Sequence, residues 1–449
     1  MAGRVAVFMM IVALPLVAMA SWKPLRASAQ AASDAGLHPG RLAIYHGFPS
    51  LVNGSGGDPA AASEVFQEYD IVVLGDGLQD PAHPDHANTA SLIARLKTPP
   101  NATAVYGYIP IGVTTANLSN EEIQSRVDAW MALGTAGIFV DEADYAFGVS
   151  RQRQNEVVDY VHSRGLGVFI NAFDPDDVFS PAIHMLNPEG LPAHLGSTDI
   201  YLHESFQVIL GEFQDPAFWA SKSDRALAYQ SEFGTRMAAV TTVSPGQPGF
   251  DSTKFEYAWW SALLYGFDAM GWGEPDYSAG DNSLPFRQRP DPGDVGRAFT
   301  SPVSHSPPAH TRTTTAGTIE VNTDSHVGSF TPDPLQAAVD IIPGTFPNRV
   351  NPSSSAKIPV AVLTTETLDA SSIDPSTVRF GPTGMEAAPM YSDLEDVEGD
   401  GDIDLLLGFH VQDTGIACGD LAAWLTGNTF SGRSVEGTDT IETAGCKKD

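Results

Sequence analysis

Two short apolar runs of this chain each end in a carboxylate: Gly137-Ile-Phe-Val-Asp141-Glu142 and Asp199-Ile-Tyr-Leu-His-Glu204. Each reads as a buried strand of a few residues with the acid where the strand runs out. In a parallel α/β barrel the C-terminal ends of the strands open onto one face, where reactive groups gather. Two acids there, from different strands, suit a general acid paired with a nucleophile at a glycosidic bond. Either acid alone is as well explained by a helix N-cap or an ion pair. It is their joint placement, with polar companions, that favours chemistry.

The elements that must hold these acids follow from the pattern between Arg41 and Gly271. Strand-like segments fall at 41–46, 70–75, 102–109, 136–140, 166–171, 198–203, 236–242 and 267–271, with helical patterns between most of them. Asn120 to Met131 is amphipathic with an acidic first turn after Ser119, and Arg151 to Arg164 ends at Gly165, a natural helix stop. This alternation predicts a (β/α)8 barrel over 38–285. No Gly-x-Gly-x-x-Gly opens a helix, so an open dinucleotide-binding sheet is not supported. The last residues of the strands then assemble a candidate site: Tyr45, His46, Asp76, Tyr108, Asp141, Glu142, Asn171, Asp174, Glu204, Trp272 and Glu274. Aromatic faces that stack on sugar rings, an amide and several carboxylates describe a carbohydrate pocket. Asp144 reads as a cap, and His46 and His203 as hydrogen-bonding histidines rather than metal ligands.

Composition bounds the partners. The formal net charge of −31 argues against nucleic acid and anionic membrane and allows a neutral or cationic substrate; it equally serves solubility outside the cell. Residues 1–29 read as a signal peptide: Arg4, an apolar stretch from Val5 to Ala20, and small-x-small sites at Ala18–Ala20 and Ala27–Ala29. The expected product is secreted, with no membrane partner after signal removal. Cys418 and Cys446, the only cysteines, are most simply one disulfide in an exported chain. Asn53, Asn101 and Asn117 stand in N-x-Ser/Thr triplets.

Beyond the barrel, 286–310 is rich in Pro, Ser and His and reads as a linker or loop, and 311–330 as a β-hairpin. From 331 to 449 short strands alternate with turn residues, which predicts an all-β, sandwich-like accessory module. Within it Asp396, Glu398, Asp400 and Asp404 alternate around Gly401, as in the first half of an EF-hand-like calcium loop. Leu407 stands where the bidentate Glu of such a loop belongs, so an acidic turn is the other reading. A structural Ca2+ is the one cofactor expected, with none for catalysis.

The stretches Tyr45-His-Gly-Phe-Pro-Ser, Tyr69-Asp-Ile-Val-Val-Leu-Gly-Asp-Gly-Leu, Tyr106-Gly-Tyr-Ile-Pro-Ile-Gly-Val, Gly137-Ile-Phe-Val-Asp-Glu-Ala-Asp-Tyr and Phe169-Ile-Asn-Ala-Phe-Asp-Pro-Asp-Asp resemble the spherulin-4-like group. That group is close to glycoside hydrolase family 114, the endo-α-1,4-polygalactosaminidases. The resemblance spans roughly 40–330. It implies a TIM barrel, an endo-acting glycosidase with a polysaccharide substrate rich in amino sugars, and a catalytic Asp/Glu pair after strands four and six. Those positions are Asp141 and Glu204 here, and Asp141-Glu142 replaces the Asp-Asp often found in the group. The C-terminal module resembles a domain of unassigned function found at the ends of exported bacterial proteins. A non-catalytic carbohydrate-binding or cell-surface protein, or a spore structural protein, on the same barrel is the reading from another class. Convergence of the two acids separates the two.

Overall fold

A computed structural model describes residues 37–75, 77–98, 102–243 and 249–446. The expected signal peptide, Asn101 and the candidate Asp76 lie outside the described residues. Eight parallel strands close a barrel: β1 (Gly40–Tyr45), β2 (Ile71–Leu74), β3 (Ala104–Pro110), β4 (Gly137–Asp141), β5 (Gly167–Asn171), β6 (Ile200–Glu204), β7 (Arg236–Val240) and β8 (Ala269–Gly271). Their order round the barrel is β1-β8-β7-β6-β5-β4-β3-β2, closed where Gly40 faces Ala269.

The strand runs are continuously apolar because both faces are covered. Residues of one parity fill the barrel interior, among them Leu42, Ile44, Val73, Tyr106, Phe139, Phe169, Leu202 and Val240. The other parity, including Ala43, Tyr45, Ile138, Val140, Tyr201 and Met270, packs outward against the helices. Those helices are α1 (Pro59–Phe66), α2 (His86–Leu96), α3 (Asn120–Leu133), α4 (Arg151–Ser163), α5 (Pro216–Phe233) and α6 (Ser252–Tyr265). Local chemistry sets their ends: Ser119 and Glu122 form a reciprocal capping box on α3, and Gly134 closes it in the left-handed region at φ 87°. After β5 only a single helical turn, Asp176–Phe179, is formed. Helix α3 comes so close to β3 that a Cβ on Gly107 would lie 2.1 Å from the Trp130 ring, and Trp130 Nε1 donates to the Tyr108 carbonyl at 3.2 Å. That contact fixes the strand end that carries Tyr108.

The region read as a linker and hairpin is more structured than the sequence suggests. Strands 304–306, 309–313, 317–322 and 327–332 form a four-stranded antiparallel sheet, so pairing begins inside the Pro/Ser/His-rich stretch. The first strand, Ser-His-Ser, is exposed throughout and carries no hydrophobic alternation, which is why it reads as loop. The sheet lies against α5 and α6: Arg312 Nη1 donates to the Leu264 carbonyl, His310 packs on Trp219, and Ile319 and Val321 are fully buried in the barrel's outer core. Upstream of it, Arg287 and Arg289 bind the preceding segment to Glu274 and to the Pro39 carbonyl.

The last module has its own core, built on a seven-stranded, mostly antiparallel sheet with strands 335–341, 357–363, 373–381, 391–395, 404–410, 422–429 and 434–440. Strand 373–381 lies at one edge and 404–410 near the other, yet Phe380 and Phe409 meet at 5.0 Å between ring centroids. The sheet therefore curls on itself around one core, which is the sandwich-like arrangement. Cys418 and Cys446 are joined in a disulfide.

Because Ile319 belongs to the barrel's core, Ile319→Ala is expected to cost about 2–5 kcal/mol of barrel stability. Denaturant unfolding followed by tryptophan fluorescence measures this; an unmoved midpoint would make the sheet an independent appendage.

Candidate active site

Strand parity decides which side chains reach the mouth of the barrel. Continuing the inward series of each strand gives His46 after Ile44, Tyr108 after Tyr106, Asp141 after Phe139, Asn171 after Phe169 and Glu204 after Leu202. All five line one cavity of about 330 Å³, with Phe139 and Leu202 as its floor and Phe147, Phe173 and Tyr277 at its sides.

The two acids converge. Asn171 Nδ2 donates to Asp141 Oδ1 at 2.8 Å and to Glu204 Oε2 at 3.1 Å, which bounds the separation of those two oxygens at about 5.9 Å. Tyr108 Oη donates to Asp141 Oδ2 at 2.7 Å, and Tyr277 Oη donates to Glu204 Oε1 at 3.2 Å. Each carboxylate thus has one donor of its own and shares a third. Burial, followed by the charge of Asp141, raises the Glu204 carboxyl above its ordinary value; Asn171, Tyr277 and Lys222 act in the opposite direction. Burial and the two carboxylates likewise hold the Tyr277 phenol well above its usual range, so it remains a donor. His46 sits between the Tyr108 and Tyr277 rings, at 5.0 and 5.7 Å, and its main-chain N–H donates to the Tyr277 carbonyl.

The neighbouring acids have other tasks. Glu142 lines the cavity, accepts from Thr115 Oγ1 and takes a left-handed φ of 56° directly after the strand. Asp144 is buried and accepts from the main-chain N–H groups of Phe147 and Phe173, so it caps the loops that present those two rings.

Four of the expected residues stand outside this cavity. Tyr45 is of outward parity; it packs on Phe66 and bonds Phe48 and Asn282 behind the strand. Trp272 is outward too, between Phe250 and Phe255. Asp174 pairs with Arg225 at 2.8 Å, and Glu274 forms a two-pronged ion pair with Arg287 at 2.7 and 2.8 Å. None of these four lines this cavity, although Glu274 lines an adjoining one together with Glu204 and Tyr277. His203, also of outward parity, is fully buried beside Ser223 and Phe206, and burial holds it well below its usual value.

Sequence reasoning missed Tyr277, Phe173 and Lys222. Tyr277 lies in an irregular turn where Asp276, Tyr277 and Ser278 all have positive φ, and no periodicity marks it. Lys222 projects from α5, buried beneath the site; its Nζ donates to the Glu204 main-chain carbonyl at 3.2 Å and lies 4.0 Å over the Phe173 ring. Burial lowers its ammonium to about 8. It does not line the cavity, so an imine-forming role for this lysine is not supported.

In the C-terminal module Asp396 accepts from the N–H groups of Gly399, Asp400 and Gly401, and buried Asp404 accepts from Thr364 and Val397. Glu398 is raised by desolvation and then by the charges of Asp400, Asp404 and Asp396. Among the described residues no group of three or more His, Cys, Asp or Glu is arranged as a metal site.

No family model matches the chain, and no curated protein matches it. Solved structures similar to it include the glycoside hydrolase domain of PelA from Pseudomonas aeruginosa. It is 13% identical, with 55% of this chain and 99% of that one covered and a TM-score of 0.33. Endoglucanase Cel5A from Pseudomonas stutzeri is 12% identical over 57% and 91% of the two chains at 0.36. An HpcH/HpaI aldolase from Desulfitobacterium hafniense is 10% identical over 55% and 89% at 0.30. At such values the barrel rests on this chain's own strand pairing and the chemistry on its own side chains.

Tyr277→Phe removes a donor that favours ionised Glu204. The expected result is an alkaline limb of the pH–rate profile shifted upward and a kcat lower by about tenfold. A limb that stays in place would separate Tyr277 from the proton-transfer step.

Proposed function

We propose that this chain is a retaining glycoside hydrolase that cleaves a polysaccharide rich in amino sugars, galactosaminan-like, from within the chain. The observation that carries this reading is the Asn171 amide bridging Asp141 and Glu204. Asp141 Oδ1 and Glu204 Oε2 are at most about 5.9 Å apart, which admits the roughly 5–5.5 Å of retaining pairs and is short of the roughly 6.5–9.5 Å that leaves room for a water in inverting ones. Convergence of the acids also favours catalysis over a purely binding role for the barrel.

The roles follow from environment. Asp141, with both oxygens accepting hydrogen bonds, attacks the anomeric carbon as its bond to the leaving oxygen breaks. Glu204, which burial and the neighbouring charge keep protonated above the ordinary carboxyl range, gives its proton to that oxygen. Water then enters, Glu204 takes one of its protons, and the hydroxyl displaces Asp141 to release a free reducing end. Tyr277 and Asn171 hold Glu204 through both half-reactions, and Tyr108 and Asn171 hold Asp141. The aromatic walls suit a sugar face, and the carboxylates of Asp141, Glu142, Asp144 and Glu204 around the cavity favour a cationic sugar over an acidic one. The sequence resemblance to the polygalactosaminidase group supports the same substrate class.

Two companion proposals rest on sequence. Export with cleavage after Ala20 or Ala29 is tested by N-terminal sequencing of the protein recovered outside the cell; an intact Met1 start overturns it. Calcium in the 396–404 turn is supported by alternating carboxylates and by Gly401 in the left-handed region at φ 102°. Saturating calcium is expected to raise the melting midpoint of the C-terminal transition of the full chain by about 5 °C or more relative to chelator. An unchanged midpoint leaves only an acidic turn.

For catalysis, Glu204→Gln is expected to cost about 10²–10⁴-fold in kcat, and Asp141→Asn at least as much, with circular dichroism unchanged. The assay is release of reducing ends from partly deacetylated galactosaminan, with chitosan and neutral glucans alongside. Near-wild-type turnover by Asp141→Asn would remove the nucleophile assignment, and no turnover of any polymer by the wild type would favour the binding reading.

A further inference from the structure

A second chamber adjoins the first. It measures about 360 Å³ and is lined by Leu210, Thr242, Val243, Glu274 and Asp276, together with Glu204 and Tyr277. Glu204 and Tyr277 are the residues it shares with the first cavity; Asp141 lines the first alone. Each chamber has the volume of a small-ligand site, on the order of 300 Å³. The proposed acid therefore stands on the partition between two chambers, and the proposed nucleophile on one side of it.

The wall of the second chamber is fixed from outside the barrel. Leu210, whose side chain is 57% exposed, sits at the tip of a hairpin formed by 208–209 and 212–213. Its N–H donates to Thr242 Oγ1 at 3.1 Å, and Gly211 N–H donates to the Thr242 carbonyl at 2.8 Å. At the hairpin's far end Phe213 stacks on His326 of the appended sheet, with ring centroids 3.6 Å apart and planes 2° from parallel. Lys254 Nζ holds the Gly211 carbonyl. The hairpin is thus braced at both ends and held ready for a ligand.

We infer that the second chamber is the aglycone subsite: it holds the sugar on the leaving-group side of the scissile bond, while the first holds the sugar whose anomeric carbon Asp141 attacks. The polarity follows from the chemistry of the two acids. A nucleophile must touch the anomeric carbon, so the glycone lies where Asp141 is. A general acid must touch the bridging oxygen, so the bond crosses the partition at Glu204 and the leaving sugar lies beyond it. Leu210 and Val243 offer an apolar surface for a ring face. The exposed Asp276 carboxylate can accept from a hydroxyl or an ammonium group of the second sugar. After the first half-reaction this chamber empties, which gives water a route to Glu204. The inference rests on the glycosidase reading above and adds the direction in which the glycan lies.

The experiment compares two substrates that use the same nucleophile. Galactosaminan needs both chambers, whereas α-galactosaminyl fluoride has a leaving group that fills neither and needs no proton from Glu204. Leu210→Trp, which fills the second chamber, is expected to lower kcat/KM on the polymer by about 10²-fold and on the fluoride by no more than about threefold. Asp276→Asn, a smaller change that keeps a residue tolerant of left-handed φ, is expected to raise KM for the polymer alone. It serves as the second variant should Leu210→Trp lose fluoride turnover as well. Polymer cleavage at the wild-type rate by both variants overturns the aglycone assignment and leaves the glycosidase reading intact. A wild-type chain that turns over neither substrate overturns that reading, and this inference with it.

Discussion

Two carboxyl groups brought within reach of one amide are the constraint on which the site depends. Asp141 and Glu204 come from strands separated by β5, and the strand between them ends in Asn171, whose Nδ2 donates to both. In water such acids would both ionise and drift apart. At the half-buried mouth of a barrel they cannot separate, and burial together with the charge of Asp141 raises the Glu204 carboxyl above its ordinary value. A single shared donor therefore limits the distance between the acids. Tyr108 and Tyr277 then fix orientation, each giving one hydrogen bond to one carboxylate.

The barrel was legible because its strands are buried on both faces and read as largely apolar runs. Asp141 and Glu204 were legible for the same reason. Two of the misplaced residues share one physical origin. Taking the last residue of a strand ignores the two-residue period, and Tyr45 and Trp272 fall on the outward parity while His46, Tyr108, Asn171 and Glu204 fall on the inward one. The sequence itself held the correction, since Leu42 and Ile44 set the phase of β1 and exclude Tyr45. Asp174 and Glu274 stand outside the first cavity for another reason: each meets an arginine, Arg225 and Arg287, in a pairing no local pattern carries. Tyr277 could not be found at all, because three consecutive positive-φ residues place it and nothing periodic surrounds it. Asp76 lies outside the described residues.

The same limit explains the appended sheet. Its first strand is short, polar and exposed, and its hydrophobic content is concentrated in Ile319 and Val321, which bury against helices of the barrel. A sheet whose core belongs to another element has too little apolar alternation of its own to be read as a unit. Its consequence reaches the site: His326 lies at the turn between the last two strands of this sheet and stacks on Phe213 of the hairpin whose tip, Leu210, borders Glu204's second chamber. An element that reads as a linker from composition thus helps to shape the groove.

Burying Glu204 works against the fold. Its folded-state pKa lies above the unfolded value, so the folded chain binds the proton more tightly than the unfolded one between those two pKa values. The stability that accompanies the protonated form is fully present below the unfolded pKa and is lost as pH rises through the folded one. Once pH exceeds the folded-state value the ionised Glu204 is a destabilising group, held by Asn171 and Tyr277 and by the field of Lys222, which is itself desolvated and lowered to about 8. Lys222 in turn meets the Glu204 carbonyl and the Phe173 ring. A cation buried under a pair of acids, yet kept out of the cavity by Phe173, lowers the cost of charging the site without offering the substrate a competing positive charge. That separation leaves the cavity lined by carboxylates while the cation that offsets them stays in the barrel beneath.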